Sequence, residues 1–407
     1  MTFVLDTSNG QSLLTSLNKH EAAGDRVALV QDCFALGEYY CAQGSLPQAE
    51  SMYRRALVLS EALKDRAQVA IAYIQLGLLC EMQGQLGQAE FFLEEALGIY
   101  QEIGDVQGEA DAHGYLGLVG QMEGQFDTAQ IMYGMSLALN ERLENLGKQA
   151  EDSGNLGNLY LVQGELKQAE AMLKRSLDLY EEIGDQKGIG SQYHSLGNLY
   201  LEKEDWPTAI GFFEQGLALH REVEYTIGMA LHLEGLGRAY WQIGEPTQAE
   251  TLFRRALELF HQLGHRGNIA NMHNSLATLY LEQEDSEAAC RELETALDLY
   301  EEMGQKGPLG QACKQLADMY FNLDVKRAEL LYRRALDVYQ DLQDEQGRGG
   351  AYVGLGNVAA QRGNANQAIG MWIAASKLFE GLGLMDQAAH LAEAVQDVWN
   401  RGSVRVA

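Results

Sequence analysis

Proline is nearly absent, with four residues in 407, and no stretch alternates Val, Ile and Thr as half-buried strands do. With 46% apolar residues, these absences exclude a β-rich fold and point to an all-α chain. Cysteine is scarce and odd in number: Cys33, Cys41, Cys80, Cys290 and Cys313 show no metal-ligand spacing. Cys33 and Cys41 fall on one expected helix, roughly 12 Å apart along its axis and beyond disulfide reach. All five read as reduced packing residues, and the expected location is cytoplasmic. Basic residues are few, 30 against 58 acidic, for a formal charge of −28. Such a surface repels phosphate backbones and anionic lipid heads, so nucleic acid is excluded as a partner. No 18 apolar residues run together, and Met1 to Leu14 lacks a basic start before an apolar stretch. Neither membrane insertion nor export is expected.

What the chain has instead is a period. Leu-Gly or Leu-Ala pairs stand at Leu36-Gly37, Leu76-Gly77, Leu116-Gly117, Leu156-Gly157, Leu196-Gly197, Leu236-Gly237, Leu276-Ala277 and Leu316-Ala317, each 40 residues after the last, and again at Leu355-Gly356. An alanine register runs in step from Ala49 through Ala289 and resumes at Ala328 and Ala368, so one residue is lost between Tyr320 and Ala328. A fixed period of this size marks a repeat solenoid.

Punctuation divides each copy into two helices, such as Val27 to Gln43 and Leu46 to Leu63. Gly44, Gly84, Gly124, Gly164, Gly244 and Gly363 share one place, where the first helix must end in a conformation that glycine adopts without strain. Pro47, Pro207 and Pro246 fall just inside the second helix, where a missing amide removes no helical bond. Gly104-Asp105 and Gly184-Asp185 make the other stop and start, the aspartate capping the next helix. The Leu-Gly and alanine registers let the paired helices approach closely, and Tyr40, Tyr160, Tyr200, Tyr240, Tyr280 and Tyr320 fill the space between copies. The expected organisation is a tail and half-repeat capping helix over 1–24, nine repeats over 25–383, and a capping helix and tail over 384–407. Residues 1 to 10 are assigned to the tail, and Leu391, Val395, Val398 and Trp399 to the apolar side of the last helix.

The order Leu156-Gly157, Tyr160, Gly164, Ala169 and Ser176-Leu177 resembles the tetratricopeptide repeat. The resemblance covers nearly the whole chain. In its 40-residue period, and in Gly-Asp standing for the usual proline, it is similar to the long-repeat type of Pins-type adaptors and kinesin light chains. It implies a right-handed superhelical solenoid whose first helices line a concave groove that binds peptide segments of partner proteins.

The family's groove positions fall six, three and two residues before each Leu-Gly glycine and one, four and five after it. Copies 1 to 3 place Phe34, Ile71, Ile74, Leu78, Tyr115 and Leu118 there, an apolar end. The middle copies place Asn155, Asn158, His194, Asn198, Arg238, Trp241, Asn271 and Asn274 there, with Glu151, Glu234 and Glu282, a polar and mildly acidic stretch. Asparagine offers both a donor and an acceptor and can pair with the main chain of an extended ligand. Inward cations number two, Arg238 and Lys314, which argues against a clamp for acidic peptides. The partner expected is a protein or peptide segment, basic or neutral, with apolar anchors. A self-assembling, homo-oligomeric scaffold and a peptide-sensing regulator are the alternatives.

No enzymatic motif is found, and no catalysis, cofactor or metal is expected. Gly354-Leu355-Gly356 with Ala359 mimics a dinucleotide fingerprint but follows no strand. His261 and His265 have zinc-like spacing only if a helix continues through Gly264, itself a helix stop.

Overall fold

The computed structural model describes residues 7–403, with side chains from Gly10 to Asp397. Among the described residues there are twenty helices and no strand. Helix α1 is Thr7–Ala23, and nine pairs follow it. The first three pairs are α2 (Arg26–Ala42) with α3 (Leu46–Leu63), α4 (Arg66–Met82) with α5 (Leu86–Ile103), and α6 (Val106–Met122) with α7 (Phe126–Arg142). Next come α8 (Leu146–Val162) with α9 (Leu166–Ile183), α10 (Gln186–Glu202) with α11 (Trp206–Glu222), and α12 (Thr226–Gln242) with α13 (Pro246–Leu263). The last are α14 (Arg266–Glu282) with α15 (Ser286–Glu302), α16 (Lys306–Tyr320) with α17 (Val325–Asp341), and α18 (Glu345–Gln361) with α19 (Ala365–Gly381). Helix α20 is Met385–Ser403.

The helix ends follow from the punctuation. Asp105 accepts a hydrogen bond from the Gly108 amide at 3.0 Å and Asp185 one from the Gly188 amide at 3.2 Å, satisfying N-terminal donors that the helix leaves unpaired. Gly164 and Gly184 have φ of 76° and 71°, the left-handed turn that closes a helix C-terminus. Six non-glycine residues, Lys64, Glu144, Glu204, Glu224, Glu284 and Gln343, hold the same conformation at equivalent places. In the eighth copy α16 stops at Tyr320 and α17 starts at Val325, so the lost residue lies at this junction as the register implied, but it shortens the end of α16, which has 15 residues where α14 has 17, and not the turn.

One boundary differs from the sequence expectation. Helix α1 begins at Thr7, where residues up to 10 read as a tail. Gly10 is buried, and a Cβ there would lie 2.5 Å from the Tyr39 ring. Contact with α2 therefore extends a helix that Thr7, Ser8, Asn9 and Gly10 would not favour alone. Residues 1–6 of the expected tail lie outside the described residues, as do the side chains of Val398 and Trp399.

Within a copy the two helices pack along the Leu-Gly register. A Cβ on Gly37 would sit 2.2 Å from the Tyr53 ring, on Gly117 2.7 Å from Tyr133, and on Gly197 2.5 Å from Phe213. Glycine thus makes the socket for a large residue four positions after each register alanine, and Ala49, Ala129, Ala169 and Ala209 have no exposure. Between copies, the Tyr200 hydroxyl donates to Glu170 at 3.0 Å, and that of Tyr280 to Glu250 at 2.5 Å. The chain forms two compact units, residues 1–228 and 229–407. The boundary falls inside α12. In the first unit each helix packs on the next, and first helices also touch across copies, α4 on α6 and α8 on α10.

Candidate functional site

In the first unit, a cavity of about 150 Å³ opens between α6 and α8 over α7. Helix α6 contributes Asp111, Gly114, Tyr115 and Leu118; α8 contributes Lys148, Glu151, Asp152 and Asn155; Ser136 of α7 lies beneath. The spacing explains the convergence: 111, 114, 115 and 118 lie on one face of α6, and 148, 151, 152 and 155 on one face of α8.

Asp152 is 4% exposed and belongs to a polar joint between copies. Its Oδ1 accepts from Ser136 Oγ at 2.9 Å and its Oδ2 from Asn140 Nδ2 at 2.8 Å. Burial pushes the carboxyl up from 3.8 to about 6, although the bonds from Asn140 and Ser136 work the other way. At the rim, Lys148 Nζ lies 3.0 Å from Glu151 Oε2 and 3.3 Å from Asp111 Oδ1. Burial would lower the pKa of this ammonium, but Glu151 and then Asp111 hold it above its ordinary value. Three carboxylates thus face one ammonium around the opening, a negative site overall.

The tetratricopeptide repeat family model matches residues 28–102, 108–182 and 189–262, more than half of the chain. The chain is a tetratricopeptide repeat protein. A second model, soluble NSF attachment protein, matches residues 237–346. No curated protein matches the chain. Among solved structures, it is similar to a STAND ATPase with a tetratricopeptide repeat sensor from Pyrococcus horikoshii, at 16% identity and a TM-score of 0.59, covering 86% of this chain and 54% of that one. It is similar to a Rap protein complexed with competence and sporulation factor, at 13% identity and a TM-score of 0.55, covering 96% and 98%. It is likewise similar to the Rap conjugation gene regulator of plasmid pLS20 in complex with the Phr* peptide, at 14% identity and a TM-score of 0.57, covering 82% and 96%. At these identities the likeness is one of fold.

The groove residues read from the sequence of this tetratricopeptide repeat protein divide between the two units. In the first, Asn155, Tyr115 and Leu118 meet at the cavity, and Asn158 stands beside Asn155 on α8. His194 and Asn198 bond each other at 3.0 Å on α10. Ile71 and Leu78 are half-buried on α4, whereas Ile74 is 7% exposed and belongs to the core with Leu93 and Ala96. Phe34 is half-buried, its ring 6.4 Å from that of Tyr53. Tyr115 and Leu118, grouped with the apolar end by sequence, line the polar cavity instead. In the second unit Arg238 is exposed, the Trp241 indole donates to Glu282, Asn271 accepts from the Tyr300 hydroxyl at 2.8 Å, and Asn274 is half-buried. Gly264, with φ of 69°, ends α13, so His261 and His265 stand on opposite sides of a break.

Lys148, Asp111 and Asp152 were missed. Lys148 and Asp152 fall outside the six family positions, although Lys148 lies one turn before Glu151 on the same helical face, whereas Asp111 stands on one of them, six before Gly117, and was passed over. A stronger signal sits in the buried register five residues before each Leu-Gly glycine: Asp32, Ala72, Ala112, Asp152, Gln192, His232, Met272, Ala312 and Ala351. Each polar residue there marks a joint built differently from its apolar neighbours.

Proposed function

We propose that this protein is a non-catalytic adaptor that binds an extended segment of a partner protein along the first-helix face of residues 1–228. The observation that carries this reading is on α8. Asn155 and Asn158 are half-buried, and among the described residues neither side-chain amide has a hydrogen-bond partner. Two amides held near one another on a rigid helix offer donors and acceptors to the main chain of a ligand. The Rap structures of similar fold, one with competence and sporulation factor and one with the Phr* peptide, support a peptide ligand. A peptide-sensing role is a second form of the same reading, favoured by the sensor described for the Pyrococcus horikoshii protein.

The test is selection of peptides from a random displayed library on the full chain, followed by affinity measurement. With Asn155, Asn158 and Asn198 all replaced by alanine, binding of the selected peptides should weaken about tenfold or more, since each lost hydrogen bond is worth ~0.5–1.5 kcal/mol. Equal affinity in the triple variant, with an unchanged melting temperature, would overturn the reading.

A further inference from the structure

We infer that the cavity over Gly114 receives a guanidinium or ammonium group carried on a side chain of the bound segment, so that an arginine or lysine fixes the register of that segment on the protein. The inference rests on the peptide-binding reading and deepens it.

The cavity exists because of one residue. The position three before the Leu-Gly glycine holds Phe34 and Ile74 in the first two copies and His194 in the fifth, but glycine in the third and fourth. These two glycines differ in what lies over them. A Cβ on Gly154 would come 3.0 Å from Gln192 Nε2 and 3.2 Å from Ser176 Oγ, so the chain's own glutamine fills the space. A Cβ on Gly114 would meet only Ser136 Oγ at 3.5 Å and Asp152 Oδ1 at 3.8 Å. Asp152 stands in the register of Gln192, but it is shorter and turned to Ser136 and Asn140, which leaves the space open. At one joint a hydrogen-bonding side chain is built in, and at the neighbouring joint room for one remains.

The walls define what fits. A volume of about 150 Å³ is of the size that holds a six-carbon ring in other proteins, enough for a guanidinium with its adjoining methylenes. Three carboxylates, Asp111, Glu151 and Asp152, outnumber the single ammonium of Lys148, so a second cation is attracted and an anion is repelled. Lys148 leaves acceptor positions on Asp111 and Glu151 free, because each carboxylate can accept several hydrogen bonds. The Tyr115 ring in the wall adds a surface that favours cations, arginine above all.

A free amine carries the same chemistry as an arginine side chain, and the experiment separates the two sources. The probes are peptides selected from the random library by the full chain, the same peptides with the cationic residue replaced by neutral citrulline, and agmatine alone. The selected peptides should share an arginine or lysine at one fixed place, and citrulline there should weaken binding about tenfold or more, as expected for a charge-assisted hydrogen bond. Gly114→Ile, which copies the residue of the second repeat, should abolish the preference for that cation while the remaining affinity survives. Glu151→Gln, at a half-exposed rim position, should reduce it without altering the fold. Peptides selected without a fixed cation, or with a fixed acid, would overturn the inference and leave the peptide-binding reading standing. Selection of no peptide at all would overturn both. Tight binding of agmatine with indifference to citrulline would reassign the cavity to a free amine and overturn the side-chain assignment.

Discussion

Asp152 gives the protein a pH dependence whose size and direction follow from the joint between α7 and α8. Its carboxyl is shifted by burial from 3.8 to about 6, so in the folded chain it binds a proton more tightly than in the unfolded chain. The contribution to stability is therefore fully present below 3.8 and is lost as the pH rises through 6. Over the whole window the shift is worth about 3 kcal/mol, and between pH 7 and pH 5 about 1.3 kcal/mol. A sequence pI of about 4.6 invites precipitation near pH 4.6, so the useful range is pH 5 to 8. Asp152→Asn has the same shape and no titration, and the Ser136 hydroxyl and Asn140 amide can both turn to meet it. Hydrogen exchange of the α7 and α8 amides in the full chain, compared between wild type and Asp152→Asn, isolates this group from the other carboxylates. Wild type should gain protection relative to the variant as the pH falls from 7 to 5. A constant difference, or a gain on the alkaline side, would refute the assignment of Asp152 as a carboxylate held charged at a cost by burial.

Three further outcomes test the packing. Ala169 has no exposure, so Ala169→Trp should destabilise the fold by ~1–3 kcal/mol or more; an unchanged melting temperature would contradict the alanine register. Removal of residues 384–407 should strip α20 from Trp372 and Phe379, which are 7% and 5% exposed, and the truncated chain should aggregate at concentrations where the parent does not, as read by light scattering. Glu144, with φ of 54° at a place where Gly104 and Gly184 stand in other copies, carries left-handed strain, and Glu144→Gly should raise stability by up to about 1 kcal/mol in denaturant unfolding.

The helices were legible because the period displays each structural constraint nine times. Leu46–Leu63 was found at its observed ends, and the missing residue of the eighth copy was bracketed to the junction of α16 and α17 by the Leu-Gly and alanine registers, although it shortens the helix end and not the turn. The start of α1 was not legible, because what extends it is the Tyr39 ring against Gly10, a contact with no local signal. Ile74 was assigned to the groove by position alone, and its burial depends on Leu93 and Ala96 of the neighbouring helix. The polar joint was hidden for another reason. Ser136 and Asn140 lie 16 and 12 residues before Asp152, on the second helix of the preceding copy, and each alone reads as an ordinary variation in a repeat. Only comparison down a single buried register shows Asp152 standing where Ala72 and Ala112 stand.

That comparison also bears on what the joint is for. Stacking does not require a carboxylate there: Ala72, Ala112, Ala312 and Ala351 hold the same register with at most 1% exposure, and their copies pack through α4, α6, α16 and α18 in the same way. At neutral pH burial makes the charged form of Asp152 less favourable to the fold than the protonated form, although bonds from Ser136 and Asn140 limit the loss. A group that opposes stability, at a place where the fold has an apolar alternative, has its use outside the stack. Outside the stack, Asp152 faces the cavity that Gly114 leaves open, between the carboxylates of Asp111 and Glu151. The carboxylate, the glycine and the unpartnered amide of Asn155 therefore belong to one arrangement, in which the third and fourth repeats give up packing and charge neutrality to keep a negative opening on the first-helix face.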